Sequence, residues 1–206
     1  SLLAAMLLNQ ALKGTVIFRT LFFMPHLTPI AASAVLWAWM FNPDVGPINY
    51  FIRNNLGIEN APGWFRDPQW AMTGLIIMAM WGAIGGNTML IFLAGLQAIP
   101  YDLYEAGKLD GASNRRLFFS ITIPMLRPTL LFVIVINTLN ALQVFDLPFV
   151  LTKGGPVNRT NTLVMYMYDT SFNFLRMGRA TAMAVVLFGI IFIITLIQLR
   201  LLRDDA

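Results

Sequence analysis

Four long stretches of the chain are almost free of Asp, Glu, Lys and Arg: Thr20 to Phe41, Trp70 to Leu93, Pro128 to Val150 and Ala180 to Leu199. A bilayer core about 30 Å thick needs roughly 20 mostly apolar residues per helix, so each stretch is long enough to span one. Leu2 to Leu12 is shorter and reads as the end of a further span. Polar segments punctuated by Pro and Gly separate the runs, at 42–69, 97–127 and 152–179. Lipid offers backbone groups no partners, and the runs are too long and too uniformly apolar for the alternating strands of a barrel, so the pattern predicts α-helices. Within 42–69, Ile48, Phe51, Ile52 and Leu56 recur at helical spacing and predict a short amphipathic helix on the membrane surface.

Composition agrees. Hydrophobic residues make up 57% of the 206, charged residues only 12%, about half the density of a soluble globular protein. With no cysteine, thiolate zinc sites, iron–sulfur clusters and cysteine nucleophiles are excluded, and a single histidine leaves histidine-based metal sites short of ligands. No cofactor is expected. That histidine, His26, lies between Pro25 and Pro29 and reads as a hydrogen-bonded helix residue.

The net charge of +4 comes from basic residues scattered between apolar blocks, not clustered as nucleic acid requires. Lys13, Arg19, Lys108, Arg115, Arg116, Arg127, Arg200 and Arg203 fall on one side of the predicted spans. Arg53, Arg66, Lys153, Arg159, Arg176 and Arg179 fall on the other. This excess leans towards a cytoplasmic 97–127 loop and C-terminus. Trp37, Trp39, Trp64 and Trp70 fall where an interfacial aromatic belt is expected, or fill helix contacts.

The 97–127 loop is unlike a passive connector. Pro100 can start a helix with Asp102 and Glu105 in its first turns, where carboxylates suit the positive end of the dipole. Gly111 breaks it. Ser113 or Asn114 can cap a second short helix through Phe118 and Phe119, which Pro124 and Pro128 end before the next span. Two short helices at a sharp bend make a knob shaped to fit a partner's cleft.

Glu105-Ala106-Gly107, then Gly111, Ile121 and Ile123-Pro124 resemble the EAA loop, EAA-x3-G-x9-I-x-LP, of permease subunits of bacterial binding-protein-dependent ABC importers. Gly107 replaces the second alanine and Ile123 the leucine; Gly107 is expected to loosen the first helix by up to about 1 kcal/mol. The longer texts Tyr104 to Ala112, Ile121 to Pro128, Phe92 to Pro100 and Leu151 to Pro156 look like the carbohydrate branch of that family. The resemblance implies an all-α membrane protein, a type I importer-like bundle with four full spans and a partial one plus short cytoplasmic coupling helices. It implies one permease domain over 1–206 with the coupling loop at 101–127. A typical member has six spans, so the chain, which opens without an initiator methionine, reads as N-terminally incomplete.

The resemblance further implies a multi-pass protein of the bacterial inner membrane, with the loop docking on an ABC ATPase dimer. It implies a second permease, commonly non-identical, an extracytoplasmic solute-binding protein, and a sugar or sugar-like solute moved by alternating access. Glu105, Ala106, Gly107, Asp110, Gly111, Arg115, Arg116, Ile121 and Pro124 are the coupling candidates. The chain has no Walker A pattern of its own.

Polar residues inside spans are costly and therefore informative. Asn137, Asn140 and Gln143 stand at three-residue steps, with Asp146 one step on. Such amides and carboxylates suit sugar hydroxyls, but Asn and Gln also bond neighbouring helices, and both readings stand. Asn87, beside Gly85 and Gly86, points more to close helix packing. A self-sufficient secondary transporter or channel is the alternative. An intramembrane lipid-modifying enzyme would need paired aspartates or a histidine cluster, and one histidine with one intramembrane aspartate argues against it.

Overall fold

The computed structural model describes residues 1–10 and 14–203, and among these every regular element is helical. In chain order they are α1 (Leu2–Leu8), α2 (Thr15–Leu27), α3 (Ile30–Met40), α4 (Pro47–Leu56), a 3-10 turn (Trp64–Arg66), α5 (Ala71–Ile84) and α6 (Asn87–Gln97). Next come α7 (Tyr101–Leu109), α8 (Asn114–Leu117), a π-helical turn (Phe118–Thr122), α9 (Ile123–Met125) and α10 (Arg127–Leu142). The chain continues through α11 (Asp146–Leu151), α12 (Leu163–Tyr168), a second π turn (Asp169–Asn173) and α13 (Met177–Arg203).

Ala71–Gln97, Arg127–Leu151 and Met177–Leu201 are each long and apolar enough to cross a membrane, and α2 with α3 passes the same test only as a pair. The pair bends by 91° at its break, so by length and composition the described residues hold three spans, or four if the bent pair is one. α1 occupies the start of the expected remnant, whose last two residues lie outside the described residues, as does Lys13.

Each break has a local cause. The residue before a proline avoids the helical backbone, and α2 stops before Pro29, which takes an extended φ of −53 and ψ of 137. Gly86 is likewise extended, dividing α5 from α6. The expected single helix from Pro128 to Val150 needs correction, because it is interrupted at residues 143–145. Pro148 has no N–H to offer Val144, and its ring would strike that carbonyl in a continuous helix. The released Val144 carbonyl accepts a hydrogen bond from the Thr162 hydroxyl at 2.8 Å.

The chain falls into two compact units. One comprises Ser1–Leu27, Gly82–Leu139 and Phe192–Ala206. Its core sets Ala4, Ala5 and Leu8 of α1 against Met89, Phe92, Leu93 and Leu96 of α6, with Leu126 and Val133. The two alanines let the helix axes approach. Gly85 does the same against α2, since a Cβ there would overlap the Phe22 carbonyl, and a Cβ on Gly86 would come 2.9 Å from Nδ1 of His26. The His26 ring also packs beside Phe23, 5.5 Å between centroids. α10 and α13 are joined by the Gln198 amide, which donates to the Thr138 hydroxyl at 2.8 Å.

The other unit comprises Thr28–Trp81 and Asn140–Ile191, with Ala34, Leu75, Met78 and Leu147 at its centre. An aromatic chain runs from Trp81 through Trp37, Phe41 and Trp64 to Trp70. Asn49, on α4, is only 1% exposed. Its Oδ1 accepts from the Trp64 indole at 2.6 Å, and its amide donates to the Pro62 carbonyl at 2.9 Å and the Pro43 carbonyl at 3.4 Å. The expected amphipathic helix is present, but its four apolar residues divide: Ile48 and Ile52 turn inward with Asn49, while Phe51 and Leu56 are exposed. Trp64 is buried, a packing residue, whereas Trp39 is 55% exposed.

The turn after α11 is clipped by Thr160, fully buried, whose hydroxyl donates to the Gly155 carbonyl at 2.6 Å and lies 2.6 Å from the Thr152 hydroxyl. Valine keeps the shape but leaves Gly155 unmet. Thr160→Val should lower stability by about 1–3 kcal/mol, read as a drop in the thermal midpoint of the detergent-purified protein.

Candidate functional site

The knob predicted between the second and third long spans is formed by α7, α8, the first π turn and α9. Pro100 precedes α7 with φ −58 and ψ 131; Asp102 lies in its first turn and Lys108 in its last, both favourable to the helix dipole. α7 ends in a Schellman motif. Gly111, at φ 75, sends its N–H to the Lys108 carbonyl at 3.0 Å, and the Ala112 N–H reaches the Gly107 carbonyl at 2.9 Å. Only a residue at ease in the left-handed region closes that pattern cheaply, which gives Gly111 its physical reason. Ser113, not Asn114, caps α8, its hydroxyl accepting from the Arg116 N–H at 3.4 Å.

Pro124 does not end the second helix, contrary to expectation. The chain widens into the π turn at Phe118–Thr122, and the Ile123 N–H bonds the Phe118 carbonyl five residues back. The wider turn relieves the carbonyl with which a proline ring collides in an α-helix. The break comes at Leu126, and Pro128 sits inside the first turn of α10.

Gly107 has a role beyond loosening α7. A Cβ there would stand 2.5 Å from Cδ2 of Leu117 and 3.3 Å from Cδ1 of Ile121, so the glycine is where the two arms of the knob touch. Ile121 is half-buried and packs against the core of its unit, as does Tyr104, whose hydroxyl lies 2.9 Å from that of Thr122. Glu105, Ala106, Asp110, Gly111, Arg115, Arg116 and Pro124 are exposed. The knob thus turns Gly107 and Ile121 of the motif inward and presents its charges, with Ala106 and Pro124, outward. Sequence reasoning missed Leu109, 88% exposed at the tip, and Phe119, 60% exposed. A leucine flanked by Lys108 and Asp110 in a polar loop was the available hint. Behind the knob, a cleft of about 520 Å³ is bordered by Asn9, Gln97, Tyr101, Tyr104, Lys108 and Asn114 among others.

The polar track is less continuous than expected. Asn137 and Asn140 lie on α10, Gln143 lies in the break, and Asp146 opens α11; all four are exposed. Asn137 donates to the Val133 carbonyl one turn back, at 3.0 Å. An interhelical bond of α10 runs instead through Thr138 to Gln198, residues that sequence reasoning did not single out. Asn87 stands exposed at the start of α6, and the close approach expected there is made by Gly85 and Gly86. Among the described residues no group of three or more His, Cys, Asp or Glu is placed to hold a metal ion.

Comparison with known proteins supplies the class to which these broken helices and this knob belong. The model of the family described as binding-protein-dependent transport system inner membrane component matches residues 1–204, so the chain belongs to that family. It is 38% identical to the sulfoquinovosyl glycerol transport system permease protein SmoG of Agrobacterium fabrum, over 87% of this chain and 58% of that protein. It is 39% identical to the probable ABC transporter permease protein YesP of Bacillus subtilis, covering 97% of this chain and 64% of that one. The sn-glycerol-3-phosphate transport system permease protein UgpA of Brucella suis is 38% identical, with 97% and 67% covered. The chain therefore spans about three fifths of the length of the first two of these relatives.

Among solved structures, a bacterial ABC transporter involved in import of the acidic polysaccharide alginate matches with a TM-score of 0.87 at 22% identity, covering 98% of this chain and 71% of that one. A bacterial alginate ABC transporter in complex with an alginate pentasaccharide-bound periplasmic protein gives 0.88 at 23% identity, covering 99% and 71%. These likenesses establish the fold as that of an importer permease. The family is one of transport components rather than enzymes, as expected from the sequence.

Proposed function

We propose that this chain belongs to a transmembrane subunit of an ATP-driven importer for a sugar or sugar-like solute, its knob facing the cytoplasm and docking on a separate ATPase dimer. The observation that carries the coupling role is the knob itself: a bend fixed by Gly111, with Leu109 presented at 88% exposure between charged neighbours. An apolar side chain held out of a polar loop is stabilised when a partner's cleft takes it in. The relatives named for sulfoquinovosyl glycerol, glycerol phosphate and lactose transport support the solute class.

The span Arg127–Leu151 has only 6% of its most apolar window buried within the chain. It is thus largely free to face lipid and a second permease. A neighbouring permease would complete the path along which Asn137, Asn140, Gln143 and Asp146 meet the solute, with alternating access driven by the ATPases. A solute-binding protein on the outer side would deliver the solute.

The test is Leu109→Asp in the full-length permease assembled with its partner subunits. Burying a carboxylate where a leucine docks costs both the leucine's burial, about 1.5–3 kcal/mol, and the charge's desolvation. Co-purification of the ATPase and solute uptake should each fall at least about tenfold. Wild-type association and uptake would overturn the coupling reading.

A further inference from the structure

We propose that Tyr104 and Thr122 form a hydroxyl brace that sets the angle of the knob against the core of its unit, making them positioning residues for coupling; the inference rests on the docking role proposed above. α7 has nine residues, too few for a helix to hold itself by backbone bonding alone. Its orientation must come from what it touches. At its far end it is tied by the Schellman turn at Gly111, and in its last turn Gly107 brings it against Leu117 and Ile121. Those contacts resist approach but not rotation, because an apolar contact has no preferred direction.

The Tyr104–Thr122 pair supplies the missing direction. The two hydroxyls are 2.9 Å apart, and either can donate. Thr122 is 5% exposed, and the Tyr104 ring packs against the cluster built from α1, α6 and Leu126. Thr122 closes the π turn, whose extra residue per turn rotates the succeeding residues relative to an α-helix. That rotation coexists with a threonine aimed at α7 and a helix that survives Pro124. The brace therefore joins the docking arm to the strut leading into α10. A push on the exposed face of α7 reaches α10 through a directed bond as well as through packing.

The experiment uses the full-length permease reconstituted with its partner permease, ATPase and solute-binding protein in liposomes, carrying Tyr104→Phe, Thr122→Val, the two together, or Thr122→Ser. Solute taken up per ATP hydrolysed should fall about 3- to 10-fold in each of the first two, the range a net hydrogen bond commands. The ATPase should stay bound through purification, because the outward surface is intact. The double variant should fall no further than the worse single one, since both remove the same bond, and Thr122→Ser should restore the wild-type ratio.

An unchanged ratio in both single variants, additive losses in the double, or failure of serine to rescue would each overturn the brace. So would loss of the ATPase from the Tyr104→Phe or Thr122→Val complex, which would place the pair in the contact surface itself. The docking reading fails on a different result, retention of the ATPase and of uptake by Leu109→Asp.

Discussion

Asn49→Leu should be the most destabilising single change in the 42–69 segment. Leucine fills nearly the same volume, so the loss is polar rather than steric. The Trp64 indole, bonded to Asn49 at 2.6 Å, and the Pro62 carbonyl, bonded at 2.9 Å, both lose their partner at a residue only 1% exposed. Each orphaned group costs about 1–3 kcal/mol, so the pair together should cost about 2–6. Trp64 also stands between Phe41 and Trp70 in the aromatic chain, and its displacement would loosen both neighbours. The expected result is a marked fall in the thermal midpoint of the detergent-purified complex. A midpoint equal to wild type would show that Asn49 is not the keystone of this loop. The Arg66–Asp44 ion pair nearby, at 3.1 Å but with side chains 67% and 71% exposed, contributes little by comparison.

Gly111→Val should weaken coupling about tenfold or more without a clash. Nothing lies within 4 Å of where a Cβ would stand, so the whole effect is backbone. At φ 75 an L-residue costs roughly 1–2 kcal/mol, and β-branching adds to it. The cheapest escape is to abandon the left-handed turn, which releases the Gly111 and Ala112 N–H groups from the Lys108 and Gly107 carbonyls and swings Leu109 away from its position. ATPase association and uptake should fall about tenfold or more, with the thermal midpoint of the spans little changed. Gly111→Asn, which tolerates the left-handed region better, should retain most of both. Equal loss from asparagine and valine would count against the turn as the cause.

Local chemistry was legible in the sequence, and long-range chemistry was not. Pro100, Gly111 and Ser113 act through their own backbone neighbourhoods, and the bend they form was readable from residue type and spacing. The long apolar runs likewise announced helices. Pro148, by contrast, was absorbed into an apolar run, because hydropathy does not register a missing N–H. Gly107 read as a weak helix former until Leu117, ten residues on, gave it a neighbour. The Thr138–Gln198 bond joins residues sixty apart, and the Asn49–Trp64 bond depends on how the segment between them folds back. Neither leaves a period in the sequence. For Asn137 and Asn140, the amides marked inside a span, what the chain adds is a local bond from Asn137 and an exposed face for both.

The break at residues 143–145 makes distant positions answerable to one another. The Thr162 hydroxyl donates to the Val144 carbonyl, and Thr162 also caps α12 by accepting from the Met165 N–H. A change at Thr162 would therefore be felt in the backbone ahead of Pro148 as well as in its own helix. Pro148 and Thr162 act as a pair: the first opens the helix, and the second satisfies the carbonyl that the opening releases.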